Sequence, residues 1–136
     1  MQKQGAAGAA QNRFAMRVLV DTSVWIDHLR RGDRHLAVLL RQNRVLMHPA
    51  VLGELACGAI PHREEFLLLW LALPRVAKVS FEEAWSLLEH RMLWGRGLGW
   101  IDIHLLASAL ISGNTLWTRD RALRDTAQQL SISLDD

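Results

Sequence analysis

A chain of 136 residues is long enough for one domain with a buried core and too short for two. Half of its residues are hydrophobic, which argues against disorder, and a single cysteine excludes an intramolecular disulfide and fits a reducing cytoplasm. The formal net charge of +2 comes from Lys3 and Arg13, so residues 16–136 are balanced in charge and bulk charge does not indicate a nucleic-acid partner.

Residues 1–15 are rich in Gly, Ala and Gln and contain no apolar run long enough for a signal peptide or a membrane span. We interpret them as a flexible N-terminal leader and residues 16–136 as one domain. Beyond the leader, short β-branched runs alternate with longer amphipathic stretches. The pattern predicts strands at 17–20, 44–48, 76–79, 114–118 and, as a closing edge strand, 131–134. It predicts helices at 23–31, 33–43, 49–59, 63–73, 81–92, 102–112 and 119–130.

This alternation predicts an α/β fold with three layers, in which helices flank a central parallel sheet. The run 17–20 has the continuous apolar character of a strand that is buried on both faces. Ser80 and Glu83 form a capping box at the start of the fifth helix, whose apolar face should include Met92. Cys57 lies in an apolar run, which favours a small buried side chain over a reactive thiol.

A glycine-rich loop, GRGLG at 95–99, leads into an apolar helix with Asp102 at its start. The free amides and the positive end of the helix dipole favour a negative charge there, so we expect Asp102 to stay ionised. A plain helix cap is the commoner use of such an aspartate. A functional role requires other carboxylates to converge on the same place.

Three further acidic residues are expected at that place. Asp21 and Asp120 each follow a predicted strand, and parallel strands present their carboxyl ends at one edge of the sheet. Glu54 lies in an otherwise apolar helix, where an unpaired buried charge would be costly. Each residue has a structural alternative, because the two aspartates could cap the following helices and the glutamate could pair with an arginine. We expect them to converge with Asp102, and we call this set the four carboxylates (Asp21, Glu54, Asp102 and Asp120).

Four converging carboxylates predict a metal site. At about 4 Å and an effective dielectric near 20, each pair of like charges repels by roughly 4 kcal/mol, so cations or protons must enter. Oxygen ligands select Mg²⁺ or Mn²⁺, and the absence of a compact Cys and His motif argues against zinc. His104, two residues after Asp102, should lie on another side of the helix. Bound divalent ions could activate water and stabilise charge on a scissile phosphate.

The four acidic segments resemble the motifs of PIN-domain ribonucleases, specifically the VapC-type toxins of bacterial toxin–antitoxin pairs. They are VLVDTSVWID at 18–27, VLGEL at 51–55, the loop and helix at 95–110, and LWTRD at 116–120. The resemblance covers roughly residues 16–134. It implies a PIN-like fold and a metal-dependent endoribonuclease that hydrolyses RNA phosphodiester bonds, with the four carboxylates as catalytic metal ligands. Many PIN domains carry a further acidic residue where this chain has Ala122.

The resemblance also implies partners: a cognate antitoxin that occupies the groove, and a homodimer or a larger toxin–antitoxin assembly, with no role for a membrane. The apolar stretch 66–71 could supply such a surface, although runs of this kind are more often core.

Hydroxyl and arginine side chains beside the acidic residues are supporting candidates. Thr22, Ser23 and Thr118 could orient a carboxylate or a bound water, although Ser23 could simply cap the first helix. The basic residues are fourteen arginines and two lysines, which suits bidentate phosphate recognition. We expect Arg96 and Arg119 to contact RNA because they adjoin metal-site residues, and the alternative is a solvated surface.

Three other interpretations compete with this one. An adhesion-type metal site beginning at Asp21 would need a hydroxyl where Trp25 stands, and an aspartyl-nucleophile phosphatase would need an aspartate where Ser23 stands. A catalytically silent PIN domain could act only as an RNA-binding or interaction module. The complete set of four carboxylates argues against silence.

Overall fold

The computed structural model describes residues 16–135. Three short strands form a single parallel sheet in the order β2-β1-β3: β1 (Val18–Val20), β2 (Val45–Leu46) and β3 (Thr115–Trp117). All three residues of β1 are completely buried, as expected for the central strand of a sheet covered on both faces. The predicted leader, residues 1–15, lies outside the described range, so the boundary at residue 16 stays a prediction.

Seven helices accompany the sheet within residues 16–135. They are α1 (Thr22–Arg31), α2 (Arg34–Arg41), α3 (Pro49–Cys57), α4 (Arg63–Ala72), α5 (Phe81–His90), α6 (Trp100–Ser112) and α7 (Arg121–Gln129). Helix α1 packs against α3, which packs against α4, while α6 packs against α5 and β3. The prediction of a three-layer α/β domain around a parallel sheet is confirmed. None of these helices is long and apolar enough to cross a membrane.

Two predicted strands are wrong. The predicted strand 131–134 is reduced to one parallel bridge, between Leu116 and Ser133, and residues 76–79 form no strand, although Arg75 just before them makes one parallel bridge with Met47. Val76 and Ile132 are nevertheless buried. The apolar alternation that suggested strands therefore reported burial in the core, and it did not report continuous backbone pairing.

Two further expectations were also wrong. Helix α5 ends at His90 and does not reach Met92, which has a left-handed φ of 52° and is 61% exposed. Cys57 is exposed. It ends α3 two positions after Leu55, a buried residue, and two positions along a helix place side chains on different faces.

Helix α6 is more deeply buried than a single apolar face would require. Ile103 and the five residues from 105 to 109 are all buried. The helix ends at Gly113, whose φ of 70° is the left-handed conformation that glycine adopts without strain. Ile103, the fourth residue of α6, is buried in the core and anchors the first turn, in which Asp102 lies.

Candidate active site

The end of β1 and the end of β3 lie side by side at one edge of the sheet. Asp21 follows β1 directly, and its backbone amide donates a hydrogen bond to the carbonyl oxygen of Trp117 at 2.9 Å. Thr118 follows β3 directly and is only 2% exposed. The parallel topology therefore brings together two residues that are 97 positions apart in the sequence.

Two hydroxyl groups hold the Asp21 carboxylate. Ser23 Oγ donates to Asp21 Oδ2 at 2.9 Å, and Thr118 Oγ1 donates to the same oxygen at 2.7 Å. Asp21 occupies the N-cap position of α1, but its side chain makes no capping hydrogen bond. The structure thus does not show the capping alternative for Asp21, and its carboxylate is oriented by side chains from the first turn of α1 and from the end of β3.

The same hydroxyls bind the turn that carries Asp120. The backbone amide of Asp120 donates to Thr118 Oγ1 at 3.0 Å, and the backbone amide of Arg119 donates to Ser23 Oγ at 2.9 Å. Asp120 Oδ2 also accepts a hydrogen bond from the Leu123 amide at 3.0 Å, so Asp120 does cap α7. A carboxylate has about four lone-pair sites, and a cap occupies only one of them.

Asp102 is the third residue of α6, and its Oδ2 accepts a hydrogen bond from the Gly99 amide at 2.9 Å. Burial raises the pKa of the Asp102 carboxyl above its ordinary value, and the Gly99 hydrogen bond opposes that rise. The negative charges of Asp21, Asp120 and Glu54 raise the pKa of Asp102 further. Asp102 is therefore a helix cap that also lies within electrostatic reach of the other three acids.

Glu54 reaches the same region from α3. Its Oε2 accepts a hydrogen bond from Thr22 Oγ1 at 2.9 Å, and Thr22 is the first residue of α1. The side chain of Glu54 is exposed, so the expected cost of a buried unpaired charge does not arise. Its partner in this structure is a hydroxyl and not the arginine of the structural alternative.

Three of the four carboxylates thus lie within electrostatic reach of the fourth, Asp102, without forming a compact cluster. Their charges act on Asp102, yet within residues 16–135 no group of three or more His, Cys, Asp or Glu side chains is close enough to hold a metal ion as it stands. Each carboxylate is held by a hydrogen bond of its own. The donor set is nevertheless all oxygen, from carboxylates and hydroxyls, and this chemistry fits a hard divalent cation.

The two arginines expected to contact RNA have different surroundings. Arg96 is exposed and donates to Gln129 Oε1 at 2.5 Å. Arg119 donates to two carboxylates, Asp27 Oδ2 at 2.8 Å and Asp33 Oδ2 at 2.5 Å. These two aspartates were not among the site residues predicted from the sequence. The spacing of Asp27 four residues after Ser23, on one face of α1, was the available signal.

A domain with this parallel sheet and with acidic residues at its strand ends has the arrangement of the PIN class. The PIN domain family model matches residues 18–129, so the chain belongs to the PIN-domain family. The crystal structure of PAE2754 from Pyrobaculum aerophilum has the same fold, with a TM-score of 0.55 over 86% of this chain and 90% of that one. At 18% identity this likeness concerns the fold alone.

Curated relatives narrow the family further. The chain is 44% identical over 118 residues to the protein named ribonuclease VapC32 from two strains of Mycobacterium tuberculosis. The match covers 86% of this chain and 95% of each relative. The resemblance to VapC-type PIN domains that the four acidic motifs indicated is therefore confirmed.

Proposed function

We propose that the protein is a metal-dependent endoribonuclease that hydrolyses RNA phosphodiester bonds and acts as the toxin of a toxin–antitoxin pair. The observation that carries this proposal is the carboxyl edge of the sheet, where the Thr118 hydroxyl joins the Asp21 carboxylate to the Asp120 amide and where Asp102 lies within electrostatic reach of the other three acids. The 44% identity to proteins named ribonuclease VapC32 supports RNA as the substrate.

The four carboxylates are the proposed ligands of Mg²⁺ or Mn²⁺, directly or through bound water. Burial is the main cause of the raised pKa of Asp102, and the charges of Asp21, Asp120 and Glu54 add to it; a divalent cation would relieve that added repulsion. Such an ion, when bound, activates water and stabilises the negative charge that develops on a phosphate.

The hydroxyl side chains have a supporting role in this proposal. Ser23 and Thr118 both donate a hydrogen bond to Asp21, which fixes the orientation of its carboxylate. Thr22 orients Glu54 in the same way. Arg96, exposed within the glycine-rich loop, is the proposed contact with an RNA phosphate.

The proposed partners are a cognate antitoxin and a second copy of the chain, alone or in a larger toxin–antitoxin assembly, in the cytoplasm. In helix α4 the side chains of Leu68 and Leu71 are 72% and 59% exposed, whereas Trp70 is buried. The stretch 66–71 therefore has both a core face and an apolar surface that suits a protein partner.

The decisive experiment is RNA cleavage by the purified protein with and without divalent ions. We expect single-stranded RNA to be cut when Mg²⁺ or Mn²⁺ is present, to remain intact in excess chelator, and to be cut again when the metal is restored. Equal cleavage in chelator would contradict metal dependence. Binding of RNA without cleavage under any metal condition would favour the catalytically silent PIN domain.

The toxin role needs a test in cells. Expression of the protein should arrest growth, and co-expression of its antitoxin should relieve the arrest. Asp21→Asn is the matched variant, since it should be expressed equally well without arresting growth. Normal growth despite abundant folded wild-type protein would count against the toxin assignment.

A further inference from the structure

Arg119 connects the turn after β3 to two separate helices. Its Nη1 lies 2.8 Å from Asp27 Oδ2 in α1, and its Nη2 lies 2.5 Å from Asp33 Oδ2 at the start of α2. The guanidinium carbon also lies 5.5 Å from the centroid of the Trp117 ring, which is buried. We call Arg119 with Asp27 and Asp33 the Arg119 bridge.

The side chains of the Arg119 bridge are partly buried and ionised. The side chains of Arg119, Asp27 and Asp33 are 24%, 27% and 15% exposed. Burial alone would raise the pKa of Asp33, but hydrogen bonds from Arg119 and the Leu36 amide, together with the arginine charge, lower it below its ordinary value. Asp33 is therefore an anion, and charge-assisted hydrogen bonds of this kind are among the strongest in proteins.

A backbone path leads from the bridge to the proposed metal ligands. The Arg119 amide donates to Ser23 Oγ, and Ser23 in turn donates to Asp21. Thr118 and Asp120, the neighbours of Arg119 in the chain, are joined to each other and to Asp21 by the Thr118 hydroxyl. A displacement of residue 119 therefore moves both Asp21 and Asp120.

We infer that Arg119 is a positioning residue, and that the Arg119 bridge fixes the turn 118–120 so that Asp21 and Asp120 can bind one divalent cation together. This inference rests on the proposed ribonuclease function. It replaces the expected RNA contact, because both terminal nitrogens of the guanidinium already donate to aspartates and a phosphate there would face the negative charge of both. Arg119 thus acts on the reaction through the carboxylates.

The two roles predict opposite effects when the aspartates are neutralised. Asp27→Asn and Asp33→Asn remove negative charge, so a phosphate-binding Arg119 would hold RNA more tightly and KM would fall. A positioning Arg119 loses its anchor, so kcat should fall about 10–100-fold while KM stays nearly unchanged. Asparagine caps helices about as well as aspartate, so Asp33→Asn leaves the start of α2 intact.

Metal affinity measured without RNA provides a second readout. Calorimetric titration with Mn²⁺ should show weaker binding by about 10–100-fold in both aspartate variants. Arg119→Lys should weaken Mn²⁺ binding as well, because a single ammonium group does not reproduce the two-pronged contact of a guanidinium. Asp125→Asn in α7, an exposed aspartate, is the matched control and should retain wild-type kcat and Mn²⁺ affinity. Circular dichroism confirms that each variant is folded.

The outcomes separate the inference from the proposed function. Wild-type Mn²⁺ affinity in folded Asp27→Asn and Asp33→Asn variants would overturn the positioning role, as would a raised KM with unchanged kcat in Arg119→Lys. If the wild-type protein fails to cleave RNA, the proposed function fails. The comparison of Mn²⁺ affinities would then still decide whether the Arg119 bridge positions a metal site.

Discussion

The substitution Asp102→Asn separates a helix cap from a metal ligand. Asp102 Oδ2 accepts the Gly99 amide at 2.9 Å, and the carbonyl oxygen of asparagine can accept the same hydrogen bond. Because asparagine caps as well as aspartate, the variant loses only the interaction of its charge with the helix dipole, about 0.3–1 kcal/mol. Relief of repulsion from the other three carboxylates acts in the opposite direction.

The metal-free protein should therefore change little in stability. A net change within about 1 kcal/mol corresponds to a shift in Tm of roughly 4 °C or less for a domain of this size. The sign depends on pH. Since folding raises the pKa of Asp102, its stabilising contribution is fully present below the unfolded pKa of 3.8 and is lost as pH rises through the folded pKa. The free energy of unfolding of Asp102→Asn should therefore rise relative to that of the wild type as pH rises through that range.

Activity should behave differently from stability. Removing one charged ligand should weaken divalent-ion binding and reduce cleavage by more than about 100-fold, since changes to groups that merely orient ligands already cost 10–100-fold. The assay pairs the metal-free Tm with RNA cleavage at saturating Mg²⁺, using the exposed Asp125→Asn as control. An Asp102→Asn protein that cleaves RNA at the wild-type rate would show that Asp102 only caps its helix.

Three other substitutions test features of the site and the fold. Thr118→Val keeps the shape of the side chain but removes the hydroxyl that the Asp120 amide and the Asp21 carboxylate share. The free energy of unfolding, measured in urea, should fall by about 1–3 kcal/mol, and kcat should fall as well. Unchanged stability would refute the structural role of this hydroxyl. His48 Nδ1 accepts a hydrogen bond from the Ala50 amide at 3.0 Å. Burial, together with the charge of His104, lowers the pKa of His48. The contribution of neutral His48 to the free energy of unfolding is therefore fully present above pH 6.5 and is lost as pH falls through the folded pKa. His48→Asn keeps the cap and should reduce the fall in Tm between about pH 7 and pH 5, and an equal fall would contradict this account. Gly113→Ala places a side chain at a φ of 70° and should lose roughly 1–2 kcal/mol, measured by the same unfolding assay.

The sequence was most informative where local pattern and burial agree. The central strand was predicted from an uninterrupted apolar run, and the helix after the glycine-rich loop from its spacing and its glycine stop. The two edge strands were mispredicted because alternation of apolar residues reports which side chains face the core. Pairing along a sheet edge depends on the neighbouring backbone, which the local sequence does not describe.

For the candidate site, the acidic residues were identifiable because strand ends and helix starts can be read locally. Their hydrogen-bond partners were harder to predict. The contact of Thr118 with Asp21 depends on how two strands lie side by side, and the pairing of Glu54 with Thr22 depends on how α3 packs against α1. The salt bridges of Arg119 joined three segments that only the folded chain brings together.

The strand order also has a consequence for biosynthesis. The middle strand of the sheet is the first to leave the ribosome, and its partner β3 is among the last. The hydroxyl of Thr118 reaches Asp21 across 97 positions, so a nascent chain has no complete candidate site until residue 118 has been made and β3 has paired with β1. In a nuclease with this order of strands, catalytic competence needs residues 118–120 beside β1, so chains released before those residues are made remain inactive.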